Sequence, residues 1–290
     1  MSKPWLYEHL LNRYSPLSRD TRSAVGMGWG EKGHIEIVPG ATIQSIELIT
    51  DITAKTKIKR VSLDLNGSEI VALTGSDLKM LEAYKDAAGE DGRYVINFAD
   101  MLYRTKNGIR SGELVTLPTD EINLFVELEA DATGSAPAPT IRGRTWVTAA
   151  QPARYFIPKI YSTNYDASAS GDNDLIWKNG SIQRFIRRIH FKTGTISRLA
   201  IWRDQKKVHD LRDADNKFDL KRNKLVPQTN YFHFDPTQLG LGLDGLFPTF
   251  AREELKFVLN KTSAGSVPML VEMLEQVQAL PVKPQAARTA

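Results

Sequence analysis

Along most of this chain apolar and polar residues alternate with the two-residue period of half-buried β-strands. His34-Ile35-Glu36-Ile37-Val38 alternates, Pro39-Gly40 turns, and Ile43 to Ile49 forms a second strand. Val61 to Leu65 and Ser68 to Val71 flank Asn66-Gly67. That pair supplies the two positive-φ residues of a type I′ turn and predicts a hairpin. Ser76 or Asp77 caps a helix reaching about Ala88, with Leu78, Leu81 and Tyr84 on its apolar face and Gly89 ending it. Strands are predicted at Arg93 to Phe98, Glu113 to Leu117, Ile122 to Glu129 and Ile141 to Thr148, with a loop at Ala132 to Thr140. Beyond a boundary near Ala149 to Pro152 they recur at Tyr155 to Ile160, Ser181 to Phe191, Ile196 to Trp202, Tyr231 to Phe234, Leu255 to Leu259 and Val267 to Leu274.

The pattern occurs twice. Ile58, Arg60, Val61 and Leu63 correspond to Ile196, Arg198, Leu199 and Ile201, a constant offset of 138 residues (58 to 196). Val71, Leu73 and Asp77 meet His209, Leu211 and Asp215 at the same offset. Tyr94 to Phe98 is echoed by Tyr231 to Phe234, and Ile122, Leu124, Val126 and Leu128 resemble Leu255, Phe257 and Leu259. A period this long is too large for a solenoid and indicates a duplicated domain. Roughly 115 to 140 residues of short strands per half suits an eight-stranded jelly roll. The expected fold is therefore all-β: two tandem eight-stranded jelly rolls with a short helix and an N-terminal arm. The divisions expected are an arm at 1–33, a first roll at 34–150, a second at 151–280 and a tail at 281–290.

Composition narrows the chemistry. The 290 residues suffice for two domains with their own cores. The absence of cysteine excludes disulfides, thiolate zinc sites and a cysteine nucleophile. No apolar run approaches the length of a membrane span, and Glu8, His9, Asn12 and Arg13 interrupt any secretory core at the N-terminus. A net charge of +4 permits an anionic partner without demanding one. In the arm, Trp5, Leu6, Leu10 and Leu11 form a short apolar stripe beside Arg13, Arg19 and Arg22. Two readings stand: a tail folded back on its own domain, or an arm reaching a neighbouring subunit or a membrane surface.

Catalytic and ligand motifs are weak. Gly28-Trp29-Gly30-Glu31-Lys32-Gly33 and Gly240-Leu241-Gly242-Leu243-Asp244-Gly245 match the dinucleotide fingerprint in spacing, but neither sits between a strand and a helix. Asp213 to Asn216 begins like a calcium loop and fails at Lys217, Phe218 and Lys224. Asp166, Asp172 and Asp174 could share a cation in a Ser/Gly/Asp loop, though a solvated acidic loop is the plainer expectation. The five histidines lack metal spacing, and His190 and His233 fit core-edge or surface positions of strands. Arg184, Arg187, Arg188 and Lys192, among Phe185, Ile186, Ile189 and Phe191, make the densest basic strand. Such interleaving can bind single-stranded nucleic acid; pairing with acidic groups at a subunit contact is the preferred reading.

The order IQSIELITD, IKRVSLDLNGSEIVAL, LKMLEAY, GRYVINFAD and INLFVELEADATGSAPAP is followed in the second half by ISRLAIWRDQKKVHDLRDADN and ELKFVLNKTSAGSVPMLVEML. Over roughly residues 34 to 275 this resembles the double jelly-roll major capsid proteins of icosahedral, membrane-containing viruses. Within them it is most similar to the corticovirus type of marine bacteriophage, in the wider tectivirus–adenovirus lineage. The resemblance implies a structural, non-enzymatic protein: homotrimers forming pseudo-hexagonal capsomers that tile a shell over an internal lipid membrane. It also implies vertex or minor capsid proteins as partners, no specific nucleic acid, and a place in the virion after assembly in the host cytoplasm. Some relatives hold structural calcium, and no motif here places such a site. A carbohydrate-binding jelly roll, such as a spike or receptor-binding protein, is the alternative.

Overall fold

The computed structural model describes residues 16–280 apart from 88, 132, 133, 135 and 168. The first half builds two sheets. One contains β1 (Leu17–Asp20), β9 (Ile141–Thr148), β3 (Thr42–Thr50) and β6 (Arg93–Asn97) in that order, with β7 (Leu114–Val115) also on β3. The other contains β2 (Lys32–Glu36), β8 (Ile122–Leu128), β4 (Ile58–Leu65) and β5 (Ser68–Leu73). The second half repeats both. Its first sheet is β10 (Phe156–Ala167), β18 (Gly265–Gln276), β12 (Arg184–Phe191) and β15 (Phe232–Phe234), with β16 (Phe247–Pro248) on β12. Its second is β11 (Gly171–Ile176), β17 (Leu255–Lys261), β13 (Ile196–Arg203) and β14 (Lys206–Arg212). Strand for strand, the pairing of the two halves is the same: each is a jelly roll.

The sequence offset survives in the coordinates. Helix α1 (Gly75–Tyr84) follows β5 as α3 (Asp213–Arg222) follows β14, with the short α2 (Lys106–Arg110) between them in the chain, and α1 and α3 sit 138 residues apart at each end (75 to 213, 84 to 222). The hairpin turns repeat too: Asn66 and Gly67 have φ of 53° and 76°, and Asp204 and Gln205 have 50° and 66°. Both are type I′ turns, but only one carries glycine at its second position. An L-residue in that region costs ~1–2 kcal/mol. Gly67→Ala should therefore destabilise by about 1 kcal/mol, and Gln205→Gly should stabilise by a similar amount. Urea midpoints of the two variants, moving in opposite directions, check both.

Alternation puts the apolar face of each strand inside. Ile122, Leu124, Val126 and Leu128 are buried on β8, as are Leu255, Phe257 and Leu259 on β17. Two separate apolar clusters result. The first gathers the sandwich of β1–β9 and borrows Ile160, Leu220, Leu225 and Leu270 from the second half; the second lies wholly within residues after 160. The halves are joined edge to edge: β10 runs parallel to β5, with Ile160 opposite Val71, so that one nine-stranded sheet passes through both sandwiches.

Several expectations need correcting. Leu17–Asp20 pair with β9 and Val25 bridges His34, so the first sandwich starts well before residue 34. All four residues of β1 are exposed, which is why no alternation marks it. Helix α1 ends at Tyr84 rather than Ala88, because Asp86 turns to a left-handed φ of 54° and Lys85 is drawn toward Asp100. Its cap is Thr74, which forms a reciprocal capping box with Asp77. The second half also has a helix that periodicity did not predict. In α3 only Asn216 and Leu220 are buried, and its support is electrostatic: Asp213 and Asp215 at the start, Lys221 and Arg222 at the end. The residues considered as a loop from Asp166 to Asp174 instead close β10 and open β11.

Candidate functional site at the junction of the two sandwiches

Where the sandwiches meet lies a sealed cluster of charged groups. Its centre is Arg188 on β12, 1% exposed. A bulge between Ile186 and Arg188 breaks the alternation of β12, so consecutive Arg187 and Arg188 both reach Asp100. The same irregularity occurs at the matching place in β3, between Ile43 and Ser45.

Arg188 Nη2 donates to Asp100 Oδ2 at 2.5 Å, its Nε to Asp235 Oδ2 at 2.6 Å, and its Nη1 to Glu272 Oε2 at 3.4 Å. Arg187 donates to Tyr103 Oη (3.1 Å), the Phe98 carbonyl (2.9 Å) and Asp100 (3.3 Å). Lys85 Nζ lies 3.2 Å from Asp100. Tyr84 Oη donates to Asp235 Oδ2 at 2.9 Å, and the Thr237 amide and hydroxyl donate to Asp235 Oδ1. Lys85, Arg187 and Arg188 thus face Asp100, Asp235 and Glu272, three cations against three carboxylates. Asp100, Tyr84, Tyr103 and Lys85 belong to the first sandwich; Arg187, Arg188, Asp235 and Glu272 belong to the second.

Electrostatics follow from that pairing. Burial alone would raise the Asp100 carboxyl, but Lys85, Arg188 and Arg187 hold it far below the usual carboxylate range. Burial likewise opposes ionisation of Glu272, and Arg188 with the His190 hydrogen bond reverses the effect. Desolvation works to lower Arg188, yet Asp235, Asp100 and Glu272 carry it well above its ordinary value. Tyr84 is pushed well up by burial and then by the Asp235 charge.

Next to the ion cluster, His190 Nδ1 and His233 Nδ1 are 2.7 Å apart. The surrounding bonds fix their tautomers. His233 Nε2 accepts the Gln228 amide at 3.1 Å, so its proton sits on Nδ1 and is donated to His190 Nδ1. The His190 proton then sits on Nε2 and is donated to Glu272 Oε1 at 3.0 Å. Burial, and then the neighbouring His190, push the His233 imidazole down to about 2. Tyr231 stacks on His233 at 5.6 Å, and Tyr84 packs against both rings.

These histidines are core groups, not the core-edge or surface residues expected. Arg187 and Arg188 pair with acidic groups inside their own chain, not at a subunit contact. Arg184 pairs with Glu275 at 2.9 Å and Lys192 with Asp77 at 2.6 Å. Phosphate cannot reach the two buried arginines, and the other two cations are engaged. Tyr84, Asp100, Tyr103, Arg187, Arg188, Asp235, Thr237 and Glu272 are all 0–5% exposed, and Lys85 closes the rim of the cluster. The arrangement can hold two domains at a fixed angle. The acidic residues of the junction were missed because their partners lie 47 to 88 residues away, beyond any local spacing.

The other expected sites are dispersed. Asp166 accepts from Asn164, Asp172 from Asn260 at 2.7 Å, and Asp174 pairs with Lys256 at 3.0 Å. Among the described residues no group of three acidic or histidine side chains could hold a metal ion. Arg22 pairs with Glu36 at 2.7 Å, and Arg19 lies exposed on β1 with its carbonyl accepting from Thr145. Trp5, Leu6 and Arg13 lie outside the described residues. The Gly28–Gly33 stretch leads into β2, and Gly240–Gly245 ends in a single 3₁₀ turn, so neither opens a nucleotide-binding helix.

Two jelly rolls of like topology, sharing a sheet and locked by a buried ion cluster, define a double jelly-roll protein. Family models agree: the N-terminal domain of viral coat protein P2 matches residues 18–148 and its C-terminal domain residues 157–277. The chain belongs to the viral coat protein P2 family. Its fold is similar to the major capsid protein P2 of bacteriophage PM2, at 16% identity and a TM-score of 0.81, covering 92% of this chain and 100% of that one. It is also similar to the STIV major capsid protein, at 10% identity and a TM-score of 0.64, covering 91% and 97%. A chain of the PBCV-1 virus capsid matches at 10% identity and a TM-score of 0.60, covering 92% and 98%. No curated protein sequence matches the chain.

Proposed function

We propose that this coat protein is the major subunit of an icosahedral shell and assembles as a homotrimer. The observation that carries the reading is the repeated topology fixed by the junction: two similar corners per subunit, held rigidly, give six in a trimer. A trimer of that shape tiles a hexagonal lattice using one kind of chain. The protein works by assembly and not by catalysis, and its place is the virion shell. In this reading the shell is built in the host cytoplasm over an internal lipid membrane, with vertex or minor capsid proteins completing it.

Light scattering on the purified protein should give a mass near three copies of the 32.5 kDa chain, roughly 100 kDa. Negative-stain images should show a six-cornered outline. A species that stays monomeric at high concentration would remove the trimer. Flotation of assembled shells with and without detergent tests the membrane.

One observation favours carbohydrate binding as a second reading. A cleft of about 420 Å³ on the second sandwich is lined by Tyr161, Tyr165 and Trp177 beside Asn164, Asp174 and Asn179. Aromatic faces with amide and carboxylate groups at the rim suit a saccharide. A glycan array with no signal on the full-length protein would dismiss it.

A further inference from the structure

One contact within the chain has no twin. β10 of the second sandwich runs parallel to β5 of the first, with Ile160 opposite Val71, and both residues are buried there. By strand order the counterpart of β10 is β1 and that of β5 is β14. Both counterparts end their sheets, β1 beside β9 and β14 beside β13. All four residues of β1 are exposed. Sheet edges of this kind are where one chain can pair with another. The two edges face away from each other. β1 leads into β2, which lies at the opposite edge of its sheet from β5, and β10 leads into β11, opposite β14 in its own. Two sandwiches therefore stand between β1 and β14 of one chain.

Register fixes which residues correspond. Val147 pairs with Leu17 and Ile43 as Met273 pairs with Lys159 and Ile186, and a bulge follows both Ile43 and Ile186. Leu17 thus matches Lys159, and Ser18 matches Ile160. Ile201 pairs with His209 as Leu63 pairs with Val71, again with a bulge after each. The image of the Ile160–Val71 contact is then Ser18 beside His209. In that parallel register Leu17 falls beside Val208, and these are 58% and 42% exposed, apolar side chains on otherwise polar edges. Arg19 falls beside Asp210, the one carboxylate on β14. Ser18 brings a hydroxyl alongside His209, whose Nε2 is buried with no hydrogen-bond partner among the described residues. The strand count agrees as well. The five-stranded and four-stranded sheets, joined edge to edge, give a second sheet of nine like the one already built between β10 and β5.

We propose that β1 of one copy runs parallel to β14 of the next, with Ser18 beside His209, repeating between chains the contact that β10 and β5 make within one. This rests on the homotrimer proposed for the coat protein and adds where its subunits touch. The contact is head-to-tail, so it closes as a ring, and with one geometry inside and between chains the six sandwiches of three copies are joined alike.

The absence of cysteine makes the test direct. Full-length protein carrying Leu17→Cys with Val208→Cys, or Ser18→Cys with His209→Cys, is oxidised and run without reductant. Adjacent strands bring facing residues within the span of a disulfide. The expected result is loss of both thiols and a ladder of bands that stops at a covalent trimer. Leu17→Cys with Asp172→Cys, on β11 at the other edge of the four-stranded sheet, should stay reduced. A trimer by light scattering whose thiols stay free in both pairs would overturn the strand pairing and leave the trimer standing; a monomer would overturn both. A bridge within one chain, or a ladder running past three, would also overturn the contact. As an independent readout, Val208→Lys sets a charge against Leu17 and should raise the concentration at which the trimer dissociates by about tenfold or more, with an unchanged circular dichroism spectrum. An unchanged dissociation would count against the pairing.

Discussion

Arg188→Met should destabilise the protein by about 3–5 kcal/mol, the usual cost of stripping one partner from a buried charge cluster. The size follows from what remains. Asp235 keeps Tyr84 and Thr237 as donors, and Asp100 keeps Arg187 and Lys85, but three carboxylates would then face two cations in a space sealed from water. The pair of sandwiches should respond as a unit that loses its clasp. Denaturant unfolding, cooperative in the parent, should separate into two transitions as each core melts on its own. Arg188→Met combined with Asp235→Leu should recover part of the loss, because it removes a carboxylate along with its cation. A variant that unfolds in one transition at the parent midpoint would show that the ion cluster does not couple the domains.

Acid should weaken the fold between pH 7 and pH 5, before most carboxylates titrate. His233 is pushed down to about 2 in the folded chain and has a value near 6.5 when unfolded. Its folded value is the lower one, so below pH 6.5 the unfolded chain takes up a proton that the folded chain refuses. Stability therefore falls as pH drops, by about 2 kcal/mol at pH 5. His209, also lowered by burial, acts in the same direction. The Asp100 and Glu272 carboxyls, held below their ordinary range, add a further loss only as pH falls below the normal carboxylate values near 4. Protonating His233 would also set its Nε2–H against the Gln228 amide N–H that it accepts from in the neutral form, 3.1 Å away. Urea midpoints at pH 7 and pH 5 measure the drop, and His233→Gln should flatten it. An equal midpoint at both pH values would contradict a His233 that stays neutral in the folded chain.

The strands were legible where burial is one-sided. Ile122 to Leu128 and Leu255 to Lys261 alternate because one face meets a core and the other meets water, and the offset of 138 exposed the duplication. β1 was not legible, since LSRD has no buried face, and β11 hid in a run of Gly, Asp and Asn. α3 carries too little apolar surface for helical periodicity, though the pairing of Asp77 with Asp215 already marked its place. The junction was half visible. Arg187 and Arg188 stood out as a basic cluster, but a strand bearing charge looks solvated until its distant acidic partners are known. His190 and His233 gave no sign of burial, because nothing near them in sequence supplies Glu272 or the Gln228 amide.

The shared sheet gives one duplicated strand two different fates. In the first half β5 is flanked on its outer side by β10, which pairs with it at Ile160 and Val71, so that edge is covered within the chain. Its twin, β14, is the last strand of a four-stranded sheet and leaves a row of peptide groups open. Such a rim invites another strand, and Lys206, Lys207, Asp210 and Arg212 stand along it as charges that discourage uncontrolled addition. The copies of an ancestral module have thus ceased to be interchangeable: one rim is consumed in making the molecule, and the other is kept open but guarded.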